Sequence, residues 1–120
     1  MNWLFLGALG GALAIVAGAF GAHALAARLE PRELQLWETA ARYLMYGSLA
    51  LMAVGLARLH GLPRGIDAAG WCLLAGSLIF SGTVFGLALG GPRVLGAVTP
   101  LGGTLMIVGF LLFAWAALKP

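Results

Sequence analysis

Charge is what this sequence has least of. Asp, Glu, Lys and Arg make up 9% of its 120 residues, against about 25% in ordinary soluble domains. Residues 1–27, 68–91 and 94–118 hold none of them. A run of about 18 or more apolar residues without charge is long enough to cross the ~30 Å hydrocarbon core as a helix. A soluble chain this short leaves much of its surface in water, so a water-soluble fold is excluded and an integral membrane protein is expected.

Other scarcities exclude other classes. Cys72 is the single cysteine, so no internal disulfide can form, and a lone thiol inside an apolar run behaves as a small hydrophobe. The seven basic residues never form a run, which rules out a nucleic-acid patch. Contact with anionic head groups of the lipid bilayer accounts for the net charge of +3. The two histidines, His23 and His60, fall to opposite membrane faces, so no metal cluster is assembled. The Gly7–Gly11 segment lies in an apolar span without a lysine and is no phosphate loop. Ser81 has no partner base at its depth, so nucleophilic catalysis is unsupported. No cofactor is expected.

What is abundant is hydrophobic side chain, 62% of the residues, and glycine, 19 of them. The pattern reads as one all-α domain over residues 1–120, an integral membrane four-helix bundle with spans at about 3–25, 38–59, 68–90 and 98–118. Ala22-His23-Ala24 mimics a signal-peptide cleavage site, but no basic residue precedes the apolar run and that run exceeds a typical h-region, so it reads as a retained helix. Pro31 suits the first turn of helix 2; Gly61, Pro63 and Gly65 form the second loop, and Gly90-Gly91-Pro92 the third turn. Thr99 is a plausible N-cap with Pro100 at the first helical position, the alternative being a longer helix kinked at Pro100. Gly7, Gly11 and Gly18 on the first span, and Gly82, Gly86 and Gly90 on the third, form small-residue stripes expected to be helix-packing faces.

An up-down-up-down path puts both termini on one side. Trp3, Trp71 and Trp115 then mark that interface and Trp37 the other. Arg58, Arg64 and Lys119 stand against Arg28, Arg32 and Arg93, so the basic residues give no orientation. Glu38 and Arg42, four apart with the acid first, have the favoured spacing for a helical ion pair and lie where helix 2 enters the membrane. His23, Tyr43, Tyr46, Ser81 and Thr99 belong to the same half. Together these seven residues could form a polar face. Its bland reading is a salt bridge and hydrogen-bonded helix ends; its functional reading is a site for a solute, lipid or proton, since intramembrane ionisable groups mark function.

Four strings point to a family: Gly18-Ala-Phe-Gly-Ala-His-Ala-Leu25, Trp37-Glu-Thr-Ala-Ala-Arg-Tyr-Leu-Met-Tyr46, Phe80-Ser-Gly82 and Leu95-Gly-Ala-Val-Thr-Pro-Leu-Gly-Gly103. Over nearly the whole chain the sequence resembles domain of unknown function 423, small bacterial inner-membrane proteins with an animal transmembrane counterpart. The resemblance implies a four-helix, multi-pass protein of the bacterial inner membrane with no established activity. It marks Gly18, Phe20, Gly21, His23, Tyr43, Ser81, Gly82, Thr99, Pro100, Gly102 and Gly103. It also implies Gln-x-x-His after the helix-2 tyrosine, where this chain has Leu44 and Gly47, which disfavours a mechanism built on paired histidines.

The function expected is therefore a non-enzymatic structural or interaction component packing with itself, as a homo-oligomer, with partner membrane proteins or with lipid. The competing expectation is an oligomeric transporter or channel using the face around His23, Glu38 and Arg42. Small multidrug transporters, which it resembles in size and helix number, centre on a glutamate in the first span; here that span is uncharged.

Overall fold

Each helix begins and ends where local chemistry dictates. In the computed structural model, which describes residues 1–63 and 65–118, α1 spans Trp3–Phe20 and opens on Asn2, whose side-chain oxygen accepts the Phe5 N–H at 3.0 Å. It continues without a break into one π-helical stretch, Gly21–Leu25. Glu30 caps α2, Pro31–Leu59, with Pro31 at the first helical position; Glu33 Oε1 reaches back to accept the Glu30 N–H at 3.2 Å. Gly61 (φ +83°) closes the next loop and Gly90 (φ +88°) the one after, both in the left-handed region where glycine carries no steric cost. Between them lies α3, Gly65–Ala88, and after them α4, Val94–Leu118. Arg64 and Lys119, counted above among the terminal-side charges, lie outside the described residues.

All four helices are long and apolar enough to cross a membrane. Contacts fix their directions. Gly7 meets Ser48 and Met52 while Gly55 meets Leu4, so α1 and α2 are antiparallel. Ser81 meets Ala40 and Asp67 meets Arg58, so α2 and α3 are too. Thr83 meets Thr99 and Leu73 meets Gly109, which makes α4 antiparallel to α3. The path is up-down-up-down and both ends of the helical region share one side.

Packing runs from α1 to α2, α2 to α3 and α3 to α4, while α1 and α4 do not pack along one another. The bundle is thus an open chain of helix pairs, elongated in cross-section at 27 by 19 Å over a length of 51 Å. Its densest core lies in the terminal-side half, where Trp3, Leu51, Val54, Ile66, Leu73 and Ala116 are buried together.

Two expectations need correction. α4 begins at Val94 and carries Pro100 inside it, so Thr99 is no N-cap. Its hydroxyl instead donates to Leu95 O at 2.8 Å or to Thr83. Proline removes one helical donor, the partner of Gly96 O, which packing around it outweighs. The glycine stripes also pack differently. Gly7 is a true contact, where an added Cβ would stand 2.6 Å from Ser48 O, and Gly86 lies against the tip of Leu95. Gly11 only touches Met45, at 3.8 Å, while Gly18 and Gly82 face open space and Gly90 is a turn. The tightest fit against facing backbone is at Gly102, where an added Cβ would run into Phe80 N, with Gly76 beside it, between α3 and α4. Four-residue spacing defines a helix face but not whether that face turns inward.

Candidate functional site

The seven residues of the expected polar face separate into three groups. Ser81 is buried, and its hydroxyl donates to Ala40 O at 2.8 Å, tying α3 to α2. Thr99 stands 2.6 Å from Thr83, oxygen to oxygen, while Thr83 reaches Ile79 O at 2.7 Å and Thr99 reaches Leu95 O. Each hydroxyl has one proton, so one spans the helices and the other bonds within its own helix. These hydroxyls are consumed by helix packing.

Tyr43 and Tyr46 form the second group. Their rings meet edge to face at 5.1 Å, and Tyr43 also lies 4.6 Å from Phe80. With Gly103, Met106, Ile107 and Phe110 they line an open groove of about 380 Å³ between α2 and α4. Its lining is almost wholly apolar, suited to a hydrocarbon chain.

His23, Glu38 and Arg42 are the third group, and all are exposed. Glu38 and Arg42 do not make the expected ion pair; among the described residues the ion pair present is Arg58–Asp67. Depth makes this notable. Ala40, between Glu38 and Arg42, is level with Ser81, seven residues before the end of α3. At 1.5 Å per residue that is ~10 Å below the end of α3. Trp37, beside Glu38, bonds Ala17 O at 2.7 Å, well before the end of the first span at Leu25. The two charges therefore lie on the outer face of α2, level with the last turns of α3 rather than beyond them.

Sequence reasoning missed the polar junction on the opposite side. Trp3, 1% exposed, donates its indole N–H to Asp67 Oδ1 at 2.8 Å, and the same oxygen accepts Arg58 Nη1 at 3.0 Å. One carboxylate thus joins the ends of α1, α2 and α3. The available signal was that Asp67 is the only acid on its side of the membrane, and that it and Arg58 lie almost symmetrically about the Leu62-Pro63 turn. A cleft of about 690 Å³ opens beside this junction, between Asn2, Leu4, Gly55 and Leu59.

The strings that carry the family resemblance meet one another. Trp37 of the second string packs on Gly21 and Phe20 of the first, with the Phe20 ring 6.1 Å away. A Cβ on Gly21 would stand 2.8 Å from Trp37 Nε1. Ser81 of the third string bonds Ala40 of the second, and Phe80 presses on Gly102 of the fourth.

Comparison with known proteins gives the family. The family described as "Protein of unknown function (DUF423)" matches residues 17–103. The chain belongs to this family. A UPF0382 membrane protein of Staphylococcus epidermidis is 42% identical over 118 residues, covering 98% of this chain and 95% of the relative. That of Staphylococcus saprophyticus is 41% identical over the same span, with 98% and 97% covered. The UPF0382 membrane protein YwdK of Bacillus subtilis is 38% identical over 119 residues, with 98% and 96% covered. No solved structure matches the chain. With membrane proteins as relatives along its full length and four membrane-capable helices, this DUF423 chain is a small membrane protein in contact with the bilayer.

One buried polar atom stands apart. Ser77, 3% exposed, carries the one buried side-chain polar atom without a hydrogen-bond partner among the described residues. It fills the space beside Gly47 that any side chain there would enter. A histidine at position 47 would therefore meet Ser77.

Proposed function

We propose that this DUF423 protein is a non-enzymatic component of the bacterial plasma (inner) membrane that acts by packing against itself, partner membrane proteins or lipid. One observation carries the reading. The hydroxyls that would line an internal polar path, on Ser81 and Thr99, are spent in bonds between helices, while Glu38, Arg42 and His23 face outward. Polar chemistry thus sits on the outer surface, where another molecule meets it. Four apolar helices support the inner membrane, because outer-membrane spans are β-barrels.

Transport through the face around His23, Glu38 and Arg42 is the reading this one competes with. Purified protein in liposomes is assayed for proton, potassium and lipophilic-cation flux, alongside Glu38→Gln and His23→Ala. The expected result is flux no higher than in empty liposomes. Flux that the wild type supports and either substitution abolishes would replace the proposal with a transporter.

A further inference from the structure

The outer face of α2 holds the least settled chemistry in the molecule. Glu38, Arg42, Tyr46, Leu49, Ala53 and Leu56 recur three or four residues apart on one side of the helix. That side is left over after the faces toward α1 (Trp37, Ser48, Met52) and α3 (Ala40, Gly47) are taken. Leu49 and Leu56 are more than half exposed. In lipid an apolar exposed face needs no partner, but Glu38 and Arg42, which begin that face, are charged and have no ion pair or hydrogen bond among the described residues.

We propose that this face binds a second copy of the same chain, α2 against α2 in parallel, with Glu38 of each copy paired to Arg42 of the other. The proposal rests on the packing function above and names its partner and interface. A twofold axis along the membrane normal makes the contact isologous, so one pair of residues is satisfied twice. Opposite charges a turn apart are self-complementary across such an axis, as flanking charges are in parallel coiled coils. Leu49, Ala53 and Leu56 continue the seam at the three-and-four spacing that a left-handed crossing requires. Anionic lipid is the competing occupant, and it would satisfy Arg42 while repelling Glu38. The balanced charge favours the second copy.

The test is charge complementation in nanodiscs, using protein with Cys72→Ala and Leu49→Cys. Copper-catalysed oxidation is expected to give a disulfide-linked dimer through position 49 and little through Leu78→Cys, on the exposed face of α3. Glu38→Arg makes the face wholly positive and Arg42→Glu wholly negative. Each alone is expected to lose cross-linking by roughly tenfold through like-charge repulsion. Mixing the two, differently tagged, restores both ion pairs and is expected to return cross-linking only between unlike tags. The neutral pair Glu38→Gln/Arg42→Gln, which leaves no repulsion, is expected to lie in between. Equal cross-linking at 49 and 78, unchanged cross-linking in the charge variants, or a mixture that restores nothing while the neutral pair still cross-links would overturn the proposal. A dimer that persists by native mass spectrometry yet ignores these charges would sink this interface and leave self-packing standing.

Discussion

Asp67 shows how much one residue can hold at this scale. Its carboxylate accepts from a fully buried Trp3 indole and from a half-exposed Arg58. The exposed ion pair is screened and contributes little; the buried indole N–H is the costly group to orphan, at about 1–3 kcal/mol. Asp67→Ala is therefore expected to lower stability by that amount in SDS-induced unfolding. Asp67→Asn, which keeps an acceptor for Trp3, is expected to lose less. The two buried serines of α3 make a matched comparison. Ser81→Ala removes the bond to Ala40 O and is expected to cost about 0.5–1.5 kcal/mol. Ser77→Ala removes a hydroxyl without a partner and is expected to cost nothing or to stabilise slightly. Equal losses in the two unfolding curves would contradict this assignment. From sequence, Ser81 and Thr99 stood out as intramembrane polar residues, but their bonds did not, because an acceptor such as Ala40 O belongs to another helix and has no residue-type signature. Thr83 was missed, although it and Thr99 stand eight residues either side of Gly91, the centre of their hairpin.

Helices and turns were the most legible elements. Charge-free runs, Pro31 in a first helical turn and the glycine turns are local signals, and local signals set where a membrane helix lies. The start of α4 was not legible, because Thr99-Pro100 imitates a helix N-terminus while packing keeps the preceding residues helical. Nor could sequence tell which glycines face a neighbour. Gly76 and Gly102 meet backbone on the facing helix, while Gly82, from the more regular stripe, meets nothing. Gly76→Ala or Gly102→Ala is accordingly expected to force α3 and α4 apart, costing about 1–3 kcal/mol. Gly82→Ala is expected to be silent or to gain up to about 1 kcal/mol from helix propensity. Thermal unfolding in detergent separates the two classes, and a loss on Gly82→Ala as large as on Gly102→Ala would contradict the packing described.

The whole molecule is an open chain of four helices in which the hydroxyls of Ser81, Thr83 and Thr99 are spent between and along helices while Glu38 and Arg42 face outward. That arrangement is coherent for a protein completed by what it touches. An isolated monomer leaves Glu38 and Arg42 without a partner among the described residues, and α1 and α4 without each other. The most direct measurement of this account is native mass spectrometry of the protein released from nanodiscs of defined lipid, repeated in mild detergent. The account predicts a discrete oligomer, a co-purified membrane protein or tightly retained lipid in both. A bare monomer in both, with neither partner nor lipid, would contradict it.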